Sequence, residues 1–261
     1  MDLGLSGKIA VVTGASKGIG LAVTTALTAE GAHVVAGSRS RGPELEKLED
    51  AGQVSFVPVD LATPEGPIEL IKRAEALGGV DVLINNAGAV TPRPGGFTSV
   101  TDEQWHASWN LGVMATVRTT RAAIPQIQRR GGGSIVTVSS VNAFLPDPGV
   151  IDYSAVKAAL TNLCKSLSKE YGARGIRVNT VSPGPVSTGL WLGAGGVAET
   201  IAQAGGGAAD DVAKGAAAES VTGRFTTPQE VADLVLFVAG DRAANITGSD
   251  FTIDGGLITT L

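Results

Sequence analysis

The chain has 261 residues, 43% hydrophobic and 17% charged, enough apolar sequence for one sizeable core and too little charge for a disordered chain. Its 36 glycines follow no Gly-X-Y period, which excludes a collagen-like fibre and assigns the excess to turns and close backbone approaches. A net charge of −5 with no basic run lacks the footprint of a nucleic-acid or anionic-membrane binder, so the expected partner is a small molecule.

A single cysteine, Cys164, and two histidines, His33 and His106, supply neither an internal disulfide nor a Cys/His zinc cage. No metal is expected, and the expected setting is the reducing cytoplasm. Met1-Asp2-Leu3-Gly4 lacks the basic and apolar regions of a signal peptide. The longest uncharged run, 178–198, is broken by Pro183 and Pro185 and is not expected to span a membrane.

In chain order, β-branched runs predict strands at 9–13, 33–37, 54–59, 80–85, 134–139, 177–181 and 251–254. Between them, helical periodicity predicts helices at 18–30, 44–49, 65–77, 101–130, 152–172 and 228–240. Most strands are apolar without alternation, as strands buried on both faces must be. The fold class is therefore α/β, a doubly wound parallel seven-stranded sheet with helices on both faces, in a single domain over 1–261. Residues 188–224, rich in Gly and Ala, read as an inserted mobile segment with weak helices.

The first strand runs into Thr13-Gly14-Ala15-Ser16-Lys17-Gly18-Ile19-Gly20 and then an apolar-periodic helix. A glycine turn at a helix N-terminus presents free N–H groups and a positive dipole end to a pyrophosphate. Without a ligand the same pattern is simply a tight strand-to-helix turn. Gly14-Ala15-Ser16-Lys17-Gly18 also matches the G-x-S-x-G nucleophile elbow, but a hydrolase triad needs a late histidine and none follows His106.

Four further segments occur in order: Asn85-Asn86-Ala87-Gly88, Tyr153-Ser154-Ala155-Val156-Lys157, Pro183-Gly184, and Ile246-Thr247-Gly248 with Asp254-Gly255-Gly256. With the glycine turn, they resemble the short-chain dehydrogenase/reductase family over nearly the whole chain. The resemblance implies a Rossmann-type fold and hydride transfer with a nicotinamide cofactor. It also implies a homotetramer and four catalytic positions: Asn110, Ser140, Tyr153 and Lys157. Ser140 is preferred to Ser139 because the family serine stands thirteen positions before the tyrosine. The implied cofactor contacts are Gly14, Ser16, Lys17, Gly18, Ile19, Gly20, Ser38, Arg39, Asp60, Leu61, Asn86, Ala87, Gly88, Tyr153, Lys157, Pro183, Gly184, Val186 and Thr188.

The spacing of Tyr153 and Lys157 puts both on one helix face, and a nearby ammonium is expected to lower the phenol's pKa. Tyr153 is the expected general acid/base, Ser140 the donor to the developing oxyanion and Asn110 the support of a water relay to Lys157. The stripe Val156, Leu160, Leu163, Leu167 and Tyr171 reads as packing, and Cys164 beside it as a buried small hydrophobe.

The second strand ends in Gly37-Ser38-Arg39, without the acid that pairs with a ribose 2′-OH. Ser38, Arg39 and Lys17 suit a 2′-phosphate, so the expected cofactor is NADP(H). The expected substrate is a largely apolar ketone or 3-oxo compound, walled by Val141, Phe144 and Leu145 on one side and Leu190 and Trp191 on the other. Two alternatives remain: a 3-oxoacyl-carrier-protein reductase, for which Arg129-Arg130 could dock an acidic carrier, and a catalytically silent nucleotide-binding protein of the same fold.

Overall fold

A computed structural model describes residues 1–260. Seven strands form one sheet: β1 (Ile9–Thr13), β2 (His33–Ser38), β3 (Val54–Pro58), β4 (Val82–Asn85), β5 (Gly133–Val138), β6 (Ile176–Pro183) and β7 (Asp250–Ile253). Their order is β3-β2-β1-β4-β5-β6-β7, and every pairing is parallel. The main helices are α1 (Gly18–Ala29), α2 (Pro43–Asp50), α3 (Glu65–Ala76), α4 (Asp102–Trp109), α5 (Ala115–Arg129), α6 (Ile151–Tyr171), α7 (Gly189–Leu192), α8 (Val197–Gly205), α9 (Ala209–Ala218) and α10 (Pro228–Ala239).

The continuous apolarity of the strands has a direct cause. Alternate residues of one strand enter opposite cores: Ala10, Val12, Val34, Ala36, Ile84 and Val136 pack with α1 and α10, whereas Val11, Val35, Leu83 and Ile135 pack with α3 and α5. Both faces are covered, so both sets of positions are mostly apolar. Val156 and Leu160 are buried against Val113, and Leu167 and Tyr171 pack on the second core, which makes the α6 stripe a packing surface.

One predicted helix differs from its expectation. Residues 101–130 are not a uniform α-helix: α4 passes through a π-helical turn, Asn110–Met114, before α5 begins. The wider turn lies where Gly112 meets α6, and a Cβ at Gly112 would collide with Val156 Cγ1. A side chain cannot occupy that crossing, so the helix axis is adjusted around a glycine. Other boundaries move by a residue or two, and β6 extends to Pro183. The expected insertion 188–224 holds α7, α8 and α9. Among the described residues no helix is long and apolar enough to cross a membrane.

Candidate active site

β1 lies between β2 and β4, so the chain leaves its carboxyl end in one direction and that of β4 in the other. A crevice opens at this switch point. Gly14 and Gly18 have φ of +68° and +55°, which favours glycine at both. A Cβ at Gly14 would stand 3.1 Å from Ala87 Cα, and one at Gly20 would overlap the Gly14 carbonyl oxygen. No side chain caps the N-terminus of α1. Its free N–H groups and the close glycine backbone fit a pyrophosphate.

The turn is stapled to β4. Thr13 Oγ1 accepts the N–H groups of Asn86 (2.9 Å) and Ala87 (3.0 Å), while Asn86 Nδ2 donates to the carbonyls of Thr13 (3.0 Å) and Gly14 (3.2 Å). Asn86 thus spends its amide on the framework of the crevice.

The resulting cleft encloses about 1240 Å³. It is lined by every expected cofactor residue except Gly20: Gly14, Ser16, Lys17, Gly18 and Ile19 from the turn, Ser38 and Arg39 after β2, Asp60 and Leu61 after β3, Asn86 to Gly88 after β4, and Pro183, Gly184, Val186 and Thr188 after β6. Gly20 acts instead by allowing α1 to close on the turn. Asp60 Oδ1 accepts the Ala62 N–H at 2.9 Å and shapes the loop. Arg39 and Lys17 are exposed and form no ion pair among the described residues, whereas Arg41 is held by Glu46 at 3.0 Å and Glu49 at 2.5 Å. Of the two arginines after β2, the free one is therefore Arg39.

At the other end stand Ser140, Tyr153 and Lys157. Ser140 follows β5; its Oγ accepts the Asn142 N–H (3.2 Å) and donates to Asn142 Oδ1 (3.1 Å). One turn of α6 stacks Tyr153 and Lys157, with Nζ 5.4 Å from the centre of the phenol ring and donating to the Val138 carbonyl at 2.7 Å. Burial pushes the Lys157 ammonium down to about 8. Burial also raises the Tyr153 phenol above its ordinary value, opposed only in part by the neighbouring Ser140 hydroxyl. The expected lowering of the Tyr153 pKa is thus corrected: Lys157 gives its hydrogen bond to the Val138 carbonyl and not to the phenol, and desolvation dominates.

Asn110 opens the π-helical turn, but its side chain does not line the cleft. Nδ2 donates to the Ala62 carbonyl at 2.6 Å, and Oδ1 accepts from Arg118 at 2.9 Å. The side chain thereby ties the loop after β3 to the turn, and only its backbone remains for a relay.

Val141, Leu145, Leu190 and Trp191 line the same cleft. Phe144 does not, which corrects its assignment. A 3-10 turn at Val141–Ala143 brings Leu145 N–H onto the Val141 carbonyl at 2.8 Å and leaves Phe144 half exposed beside a second cavity near Cys164 and Lys165. Trp191 meets Phe225 edge-on at 5.3 Å. Sequence reasoning missed Asn142, Arg93 and Glu219, which also line the cleft. Asn142 stands two positions after Ser140 and could have been found there; the loop holding Arg93 offers no periodic signal. Cys164 is buried, donates to Thr137 Oγ1 at 3.2 Å and is pushed up to about 11 by burial, so it is an inert thiol.

Residues 14–258 match the family described as enoyl-(acyl carrier protein) reductase. Dehydrogenase/reductase SDR family member 4 of Sus scrofa is 34% identical over 98% of this chain and 89% of its own length. The 3-oxoacyl-[acyl-carrier-protein] reductase of Thermotoga maritima is 32% identical over 97% and 99%. Among solved structures, L-sorbose reductase of Gluconobacter frateurii, complexed with NADPH and L-sorbose, superposes with a TM-score of 0.91 at 36% identity, covering all of both chains. A gluconate 5-dehydrogenase described as putative, from Beutenbergia cavernae and with bound NADP, gives 0.88 at 31% identity, again over both full chains.

Proposed function

Since the chain belongs to the short-chain dehydrogenase/reductase family, we propose that it is an NADP(H)-dependent oxidoreductase that interconverts a ketone or 3-oxo group and a secondary alcohol. The observation that carries this reading is the convergence of Ser140, Tyr153 and Lys157 on one end of a cleft whose other end is the uncapped glycine turn. Free Arg39 and Lys17, with no acid after β2, support the phosphorylated cofactor, as do the NADPH and NADP held by the two structural relatives. When bound, this cofactor supplies the hydride.

Tyr153 holds the proton that reaches the carbonyl oxygen in reduction and accepts it in oxidation. Burial keeps its phenol protonated in the free chain, ready to donate. Ser140 turns its hydroxyl from Asn142 to the oxyanion, and Lys157 stands behind the phenol to hold the ribose hydroxyls. Apolar Val141, Leu145, Leu190 and Trp191 exclude water. Arg93 on the same wall is already paired with Asp152 at 2.6 Å, which favours an uncharged ketone.

A carrier-linked substrate gains less support. Arg129 is paired with Glu75 at 2.9 Å and Arg130 with Asp81 at 2.9 Å, at the amino-terminal edge of the sheet, away from the cleft. Arg130 is engaged by a buried carboxylate and Arg129 is balanced by Glu75 at the surface. We further propose a homotetramer, supported by the exposed Phe97 and by Trp109 at the end of α4 and tested by light scattering, and a cytoplasmic setting that suits a chain whose single cysteine is buried.

The test is NADPH oxidation over a panel of ketones. Tyr153→Phe should lose nearly all turnover while binding NADPH normally, which would also separate an enzyme from a silent nucleotide binder. Near-normal activity of that variant would overturn the reading.

A further inference from the structure

Asp152, beside Tyr153 in the first turn of α6, is almost wholly buried, with a side chain 2% exposed. A buried carboxylate is costly unless charge and hydrogen bonds compensate it. Here they do, and the partners come from two other elements. Arg93, in the loop after β4, donates through Nη2 at 2.6 Å and Nε at 3.3 Å; Ser108, near the end of α4, donates through Oγ at 2.6 Å. Burial pushes the Asp152 carboxyl up, but these donors hold it below the usual carboxylate range.

The arrangement is placed where the site needs rigidity. No side chain caps the start of α6, and besides Asp152 its first turn is tied to the preceding loop only by the long hydrogen bonds of Ser154 Oγ with the Asp147 backbone, at 3.3 and 3.4 Å. The Arg93 N–H donates to the Gly149 carbonyl at 2.7 Å, gripping the chain just before that end. Ser108 lies two positions before Asn110 and the π-helical turn, which packs on α6 through Gly112 and Val156. One carboxylate therefore joins the loop after β4, the Asn110 end of α4 and the Tyr153 end of α6.

We propose that Asp152 is a positioning residue: with Arg93 and Ser108 it locks the first turn of α6 so that the Tyr153 phenol stands at a fixed place between Ser140 and Lys157. This rests on the reading of Tyr153 as the acid/base. Asp152 touches neither substrate nor cofactor in this role. Its effect falls on kcat, because a displaced proton donor spoils the reacting geometry without removing a binding contact.

Ser108→Ala is the first test, since it deletes one donor and leaves the ion pair in place. It should lower kcat about three- to tenfold, with KM for the ketone and Kd for NADPH within about twofold, and the lost hydrogen bond should lower Tm by about a few degrees. Asp152→Asn should lower kcat about a hundredfold at similar cofactor affinity, and if it fails to fold, Ser108→Ala decides alone. Parallel assay of Tyr153→Phe separates the two levels. An active Tyr153→Phe defeats the functional reading itself. An inactive Tyr153→Phe beside a Ser108→Ala enzyme of unchanged kcat overturns only the positioning role, as does a Ser108→Ala enzyme that loses NADPH affinity in step with its turnover.

Discussion

Replacing Lys157 by Met should stabilise the free protein near neutral pH while destroying its activity. The ammonium is 5% exposed and its pKa falls from 10.5 to about 8 through burial, so keeping it charged in the fold costs about 3 kcal/mol relative to the unfolded chain. Its hydrogen bond to the Val138 carbonyl returns about 1 kcal/mol, which Met forfeits. The net gain is about 2 kcal/mol at pH 7, or a Tm increase of about 4 to 8 °C for a chain of this size. The sign of the pH dependence follows from proton binding. Between pH 8 and 10.5 the unfolded chain binds the proton and the folded one does not, so the wild type gains stability as pH rises through this window. The advantage of Lys157→Met should accordingly shrink by about 2 kcal/mol between pH 7 and pH 10, a change that better packing by Met cannot produce. Denaturant melts of both proteins without cofactor, at pH 7, 8.5 and 10, measure it. A variant less stable than wild type at pH 7, with a gap that stays constant to pH 10, would refute the view that Lys157 is held as a strained cation.

Arg39→Ala should raise KM for NADPH about tenfold and leave KM for NADH unchanged, since an exposed charge-assisted contact sits at the low end of its range, whereas Arg41→Ala, already engaged with Glu46 and Glu49, should change neither; equal effects of the two would remove the 2′-phosphate assignment. Gly20→Ala should abolish NADPH binding and lower Tm, because its Cβ has nowhere to go but the Gly14 carbonyl; normal cofactor titration would show that the turn yields more readily than its packing implies. Trp191→Ala should raise KM for bulky ketones more than for small ones, with NADPH affinity intact, and a uniform loss across sizes would place Trp191 in scaffolding with Phe225 instead of the pocket wall.

Much of this protein was legible in its residues alone. Glycines at 14, 18 and 20, the continuously apolar strands and the spacing of Tyr153 to Lys157 are local constraints: a left-handed turn, burial on two faces and one helix turn each demand particular residues at fixed intervals. Together with the family resemblance that the joint motifs carry, these were enough for the fold class and for the residues at the cleft's two ends. Only the tertiary structure decided what depends on distant neighbours. The same Asn110 that the family resemblance assigns to a relay turns its side chain to Ala62 and Arg118, and Phe144 faces away because a 3-10 turn intervenes. Tyr153 and Lys157 are both pushed toward neutrality because desolvation is set by everything packed around them, not by their spacing. Asp152 carried no signal beyond its place beside Tyr153, since its partners Arg93 and Ser108 are brought to it from 59 and 44 positions away. Hydrogen bonds and burial act through space, and a linear chain states its own intervals but not its cross-chain distances.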